Sequence, residues 1–215
     1  MVNVNLQILS SAYLLNEKSI DTPHIKDLVP QMMVRRRLTK AAKIAIELHS
    51  MINYFDNGRI ICGSAFGEIE TTANILNAIK DNSPLSPTDF QNSVYNTAVS
   101  YLSILSKNQN EILTISSGDK TSLNVLKAGA LKALDGDIIL LFCFEILNIP
   151  RIEEVNKCIK YLESGVALVI KKTNESATIE LEKSKLSGIP GSISEMLYIA
   201  QKAEILEHPV VKIPL

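Results

Sequence analysis

LTISSGDKTSLNVLKAGALKAL, from Leu113 to Leu134, is the stretch that decides the fold. It opens inside a short strand, Ile112 to Ser116, rich in apolar and β-branched residues. A small polar turn follows, Ser117-Gly118-Asp119-Lys120. Leu123, Leu126, Ala130 and Leu134 then recur at helical spacing, and Asp135-Gly136 closes the helix. Ile138 to Phe144 comes next, a continuous apolar run of the kind covered on both faces of a sheet. Strand, turn, helix and buried strand together imply an α/β layered fold.

Toward the N-terminus the same alternation continues. Thr88-Asp89-Phe90-Gln91 reads as a capping box opening a helix with Phe90, Val94, Ala98, Tyr101 and Leu105 at its apolar positions. Asp81 to Pro87 is a loop. Before it lies a helix with Ile69, Ala73, Leu76 and Ile79 on one face, entered through the turn Ser64-Ala65-Phe66-Gly67. Gly67 supplies backbone freedom there. Arg59 to Gly63 (RIICG) is a short buried strand. An earlier helix places Leu38, Ala41, Ala45, Leu48 and Ile52 on one face, widened by Ile44, Met51 and Phe55; this predicts a buried helix. Thr39 is its candidate N-cap, and Asn57-Gly58 ends the segment. Asp21 to Pro30 is a Pro-bounded loop, and Val4 to Leu15 is strand-like.

The last third changes character. Gly165–Lys171 and Ala177–Lys183 read as two strands joined near Thr173-Asn174-Glu175, a hairpin. A final helix begins at a second capping-box pattern, Ser192-Ile193-Ser194-Glu195, with Met196, Leu197, Ala200 and Ala203 apolar. Pro209 to Leu215 is a short extended tail. The expected organisation is one domain, residues 1–150, completed by a hairpin and helix in 151–215.

Composition narrows the function classes. The 215 residues are 46% hydrophobic, enough for a substantial core. Charged residues, at 21%, fall below the roughly 25% of soluble chains, so part of the surface is expected to be apolar and covered by a partner. A net charge of −1 leaves no electrostatic footprint for nucleic acid. Arg35-Arg36-Arg37 reads as a solvated helix entrance rather than a phosphate site. No apolar stretch reaches the roughly 18 residues of a membrane span, and Met1 to Gln7 has no signal-peptide pattern. These features point to the cytoplasm. Cys62, Cys143 and Cys158 are odd in number and widely spaced, which gives neither a disulfide framework nor a metal pattern. His24, His49 and His208 are scattered. No metal and no cofactor are expected.

Chemistry, if present, belongs to the turn before the helix. A side chain at a helix N-terminus sits where the dipole and free amides favour negative charge. Enzymes use that position to lower a cysteine pKa and expose a thiolate. Here the turn offers Asp119 and no thiol. An Asp at this place is ordinarily an N-cap. A nucleophilic carboxylate needs a positioned partner, and only the adjacent Lys120 is near in sequence.

Four stretches occur together in order: RRRLTKAAKIAIE from Arg35, CGSAFGEIETT from Cys62, LSPTDFQNSVYNTAVSYLSI from Leu85, and TISSGDKTS from Thr114. From Arg35 to Leu147 the chain resembles the β-ketoacyl synthase-like N-terminal domain family, which includes chain-length-factor-like proteins of aryl polyene and related pigment pathways. The resemblance implies the N-terminal half of a thiolase-like fold. It places Asp119 at the position of the nucleophilic cysteine, with no cysteine between Cys62 and Cys143 to replace it. Only His208 remains in the C-terminal part, where a complete synthase has two catalytic histidines. Condensation by this chain alone is therefore not expected, and no catalytic residue is assigned.

The resemblance further implies a non-catalytic subunit that pairs with an active β-ketoacyl synthase and shapes its acyl tunnel in fatty acid- or polyketide-type synthesis. An acyl carrier protein is a further possible contact. Phe66, Phe90, Val94 and Asn96 become tunnel candidates, although core packing explains them equally well. Leu113, Thr114, Ile115 and Ser116 become interface candidates, because the strand before the nucleophile pairs across the dimer two-fold in this fold. Two other readings stand beside it: an acyl-thioester-processing enzyme with an altered pocket, and a homodimeric structural protein.

Overall fold

Alternation along three buried strands sorts their side chains into two cores. The strands are β2 (Arg59–Gly63), β4 (Ile139–Ile146) and β5 (Glu163–Lys172). Ile60, Cys62, Leu140, Phe142, Phe144, Ala167 and Val169 point to one side. Ile61, Ile139, Leu141, Cys143, Val166, Leu168 and Ile170 point to the other. β4 has no exposed residue at all. A strand covered on both faces needs a helix layer on each.

The computed structural model describes residues 2–149, 159–181 and 186–215. Its sheet has six strands in the order β3-β2-β4-β5-β1-β6, where β1 is Asn3–Asn16, β3 is Ile112–Ile115 and β6 is Val210–Pro214. β3, β2 and β4 run parallel; β5 is antiparallel to β4, β1 to β5, and β6 to β1. One sheet thus joins strands from both ends of the chain. Two short helices, α1 (Ile25–Leu28) and α2 (Met32–Arg35), interrupt the segment after β1, where the sequence predicts only a loop before Pro30.

One face carries α3 (Lys40–Met51) and α6 (Thr97–Ser106). The other carries α7 (Thr121–Lys132) and α8 (Ser194–Ala203). α3 is the buried helix that its apolar pattern predicts, and Thr39 Oγ accepts from Ala42 N at 3.1 Å as its cap. Arg35 donates to the carbonyls of Val29 and Pro30 at 2.6 and 2.5 Å, so one member of the basic cluster ties down the helix entrance.

Four local expectations are corrected. The helix expected from Thr88 is two helices, α5 (Pro87–Asn92) and α6, separated by Ser93–Asn96. Its cap is Ser86, whose Oγ accepts from Asp89 N at 3.2 Å, with Pro87 at the first helical position where a missing N–H costs nothing. The Ser192–Glu195 capping box does not form: α8 has no side-chain cap, and Glu195 is bonded to Ser122 on α7 instead. The Ala177–Lys183 hairpin strand is also absent among the described residues. Thr178 and Ile179 donate their N–H groups to Val210 O at 2.8 and 2.9 Å, and Ile179 bridges Val211. Residues 182–185 lie outside the described residues.

α4 (Ile69–Lys80) corrects an expectation of another kind. Its helix forms, yet Leu76 and Ile79 on the predicted apolar face are 61% and 57% exposed. Periodicity identified a face and not what covers it.

Candidate functional site

β2 and β3 are parallel neighbours and end together, so the turns that follow them lie side by side. Ser64 N donates to Ile115 O at 3.2 Å across that junction. The first turn, Ser64–Gly67, is built on a carboxylate that the sequence hides at the end of an apolar strand. Glu145 is fully buried and accepts from Ala65 N at 2.5 Å, Ser64 Oγ at 2.9 Å and Phe66 N at 3.3 Å. Ser64 Oγ also accepts from Gly67 N at 2.8 Å. Burial pushes the Glu145 pKa up, and these donors pull against it. The Ser192 hydroxyl sits beside the same carboxylate and helps to hold it down, without the alignment of a formed hydrogen bond.

Gly67 has φ of 59°, and the Tyr95 ring lies where a Cβ would come within 3.0 Å. The turn therefore needs glycine for conformation and for space. Glu68 follows it, 9% exposed, and accepts from Thr39 Oγ at 2.7 Å. Burial raises its pKa to about 7, against the opposing Thr39 bond.

The second turn carries Asp119, in a single 3-10 turn, Gly118–Lys120, ahead of α7. The expected N-cap role is not what the structure has. Thr121 Oγ does the local bonding, accepting from Ser117 N at 3.0 Å and donating to Gly118 O at 2.7 Å. No side-chain cap closes α7, and among the described residues Asp119 accepts no hydrogen bond. Its carboxylate lies over Gly191, where a Cβ would stand 2.8 Å from Oδ1. A side chain at position 191 would have to displace that carboxylate. Asp119 and Phe66 line a cleft of about 420 Å³ with Ile159, Leu186, Gly191 and Ser194.

The other sequence candidates separate. Val94 and Asn96 line a groove of about 210 Å³ with Gln91, Tyr101 and Ile104, away from Asp119. Phe90 is 69% exposed and lines none of the described cavities. Asn96 also borders a third hollow of about 410 Å³, with Tyr95 and Ser100, against Ile112, Thr114 and Ser116 of the edge strand. The cleft thus brings Phe66 and Asp119 together, and the α5–α6 turn brings Val94 and Asn96 together near β3.

β3 is one edge of the sheet. Glu111 O and Ile115 O accept from β2, so alternate residues bond inward. By that alternation Ile112, Thr114 and Ser116 turn their backbone N–H and C=O groups outward. Leu113 and Ile115 serve the β2 pairing.

The buried thiols do not compensate for Asp119. Cys62 and Cys143 are both buried, and burial above all raises their pKa values, so neither is a ready thiolate. Cys158 lies outside the described residues. None of the three histidines lines the Asp119 cleft.

Against known proteins, the family described as "Beta-ketoacyl synthase, N-terminal domain" matches residues 11–202. The chain belongs to that family. The match is wider than the Arg35–Leu147 span that carries the resembling motifs, and it takes in β5 and most of α8. This family's architecture accounts for the mixed sheet between helix layers, which is shared with ketosynthase structures.

A chain of the ketosynthase (ApeO)–chain length factor (ApeC) complex of Xenorhabdus doucetiae is similar, at TM-score 0.61 and 20% identity; the match covers 82% of this chain and 85% of that one. The ishigamide ketosynthase/chain length factor gives TM-score 0.59 at 10% identity, covering 81% and 63%. A beta-ketoacyl synthase from Burkholderia phymatum STM815 gives 0.57 at 9%, covering 79% and 59%. Family members of the latter two kinds are thus matched over less than two thirds of their length. No curated protein matches.

Proposed function

We propose that this chain is a non-catalytic ketosynthase-like subunit, chain-length-factor-like, that pairs with an active β-ketoacyl synthase. The observation that carries the reading is Asp119: a carboxylate at the strand–turn–helix junction of a ketosynthase fold, in a cleft that neither Cys62 nor Cys143 lines. Claisen condensation needs a thiolate to hold the acyl group, and the nearby cysteines are buried with raised pKa values. The mutual coverage with a chain from a ketosynthase–chain length factor complex makes the two chains similar in length, which favours a half-size partner.

β3 is the proposed contact. Its outward N–H and C=O groups offer strand addition, with Leu113, Thr114, Ile115 and Ser116 as interface residues. Val94 and Asn96 are the proposed tunnel-shaping residues on this subunit, Asn96 in a hollow against that edge; Phe66, in the separate Asp119 cleft, and exposed Phe90, outside the described cavities, are the further candidates. The proposed product class is of the polyketide or fatty acid type, including aryl polyenes, with an acyl carrier protein as a further contact of the complex. The reading includes a cytoplasmic location, consistent with no helix of the described residues being long and apolar enough to cross a membrane.

The test is reconstitution with an active ketosynthase from the same organism, the one encoded nearest to it first, followed by product-length analysis. Val94→Ala and Phe90→Ala should shift product length while the complex stays intact. Unchanged length in both variants removes the tunnel role. Acyl transfer to the isolated chain that is lost in Asp119→Ala favours an altered-pocket enzyme instead.

A further inference from the structure

Asparagine is a chemically labile residue when the next backbone nitrogen can reach its side chain. Asn57-Gly58, Asn82-Ser83 and Asn92-Ser93 each place a small residue in that next position. The fold treats the three pairs differently. Asn92 is buried, and Ser93 N donates to Phe90 O at 3.4 Å. Asn82 is exposed, but Ser83 N is engaged by Ala78 O at 2.9 Å, at the end of α4. Asn57 is also exposed, in the turn that leads into β2, and among the described residues Gly58 N donates to nothing. Gly58 brings no Cβ to screen that nitrogen. Two asparagines hold the turn from the other side. Gly58 O accepts from Asn108 Nδ2 at 2.8 Å, and Asn57 Oδ1 accepts from Asn110 Nδ2 at 2.9 Å.

A side-chain amide and a free backbone nitrogen one residue on form a tethered electrophile and nucleophile, and tethering replaces a bimolecular encounter. We propose that Asn57 is a site of spontaneous deamidation, the first of the three at which the folded chain converts itself. Gly58 N forms a bond to Asn57 Cγ, the bond from Cγ to the side-chain nitrogen breaks, and ammonia leaves with the proton that Gly58 gives up. Water then opens the cyclic imide. Attack at the side-chain carbonyl leaves aspartate. Attack at the backbone carbonyl leaves isoaspartate, with an extra carbon in the main chain just ahead of β2. Either product adds a carboxylate two residues before Arg59, whose guanidinium Asp135, Asp137 and Glu111 already share at 2.5, 3.5 and 3.7 Å. Ring closure requires the Asn57 side chain to rotate, and the bond from Asn110 holds it, so Asn110 is the brake on this reaction.

The test holds the whole chain at mildly alkaline pH in heavy-oxygen water and follows its proteolytic peptides by mass spectrometry. Asn57 should convert first, taking up one labelled oxygen and giving both aspartate and isoaspartate. Its rate should exceed that of Asn82 by at least about fivefold, the factor that breaking one backbone hydrogen bond costs. Asn110→Ala should speed conversion at Asn57 by about fivefold, with far-UV circular dichroism unchanged. Asn57→Gln should remove the early release of ammonia. Conversion at Asn82 or Asn92 as fast as at Asn57 overturns the proposal. So does an intact Asn57 after a time in which a synthetic peptide of residues 52–62 has converted, or a rate that Asn110→Ala leaves unchanged or lowers. None of these outcomes touches the β3 contact, so failure here leaves the partner-subunit reading standing.

Discussion

The two edges of the sheet are finished in opposite ways. At β6 the edge is closed: Thr178 and Ile179 bond to Val210, Ile179 bridges Val211, and Val210, Val211 and Ile213 are buried. At β3 the edge is four residues long, Leu113 is 37% exposed, and the N–H and C=O groups of Ile112, Thr114 and Ser116 face outward beside an open hollow. Unpaired edges invite association, and proteins generally cover or blunt them. Among the described residues one edge is covered and the other open, with Leu76, Ile79, Phe90 and Ile104 exposed on the helices α4 to α6; this contrast supports the proposed contact at β3.

The sharpest way to break this contrast is to put one charge on each edge. Val211→Asp buries an unpaired carboxylate in the second core and should cost about 4 kcal/mol or more in urea unfolding. Leu113→Asp should cost under about 1 kcal/mol, because the side chain is already partly in water. Equal losses at both sites erase the distinction.

pH separates the two sides next. Glu68 lies just beyond β2, on the β3 side, with its pKa raised to about 7 in the folded chain. A raised carboxyl pKa gives stability that is full below the unfolded value and is lost as pH rises through the folded one. Stability should therefore fall by about 2–3 kcal/mol between roughly pH 5 and 8, and Glu68→Gln should flatten that slope. Hydrogen exchange should quicken with pH at Ser64–Glu68 beyond its intrinsic increase, and not at Val210–Ile213. A pH slope unchanged in Glu68→Gln contradicts this account.

The smallest expected effect on the fold is the most telling for function. Thr114→Pro removes an outward N–H but no bond to β2, so far-UV circular dichroism should be unchanged. Association should weaken by about tenfold or more. Loss of fold in Thr114→Pro means that the alternation assigned to β3 is wrong.

Much of this architecture was readable in the sequence, for identifiable reasons. RIICG is β2 residue for residue, and the Leu38–Ile52 pattern is α3 with Thr39 as its cap, because periodicity and capping are local signals. Ser86-Pro87 carried a stronger start signal than Thr88, a cap residue followed by Pro at the first helical position, and that signal locates α5. Glu145 was hidden because one acid at the end of an apolar run reads as the strand's exit; its donors come from a turn about 80 positions earlier. Ser192-Ile193-Ser194-Glu195 has the spacing of a capping box, but the link between Glu195 and Ser122 overrides it. The outward faces of α4 and β3 depend on what packs there, and periodicity carries no information about that. Asp119 was legible as a carboxylate in a strand–turn–helix junction; that it caps nothing was not.

Native mass spectrometry of the chain co-expressed with an active ketosynthase from the same organism tests the central claim most directly. The account predicts a one-to-one complex that Thr114→Pro disrupts while both chains remain folded. A chain that emerges only as monomer or homodimer, or a complex indifferent to Thr114→Pro, contradicts it.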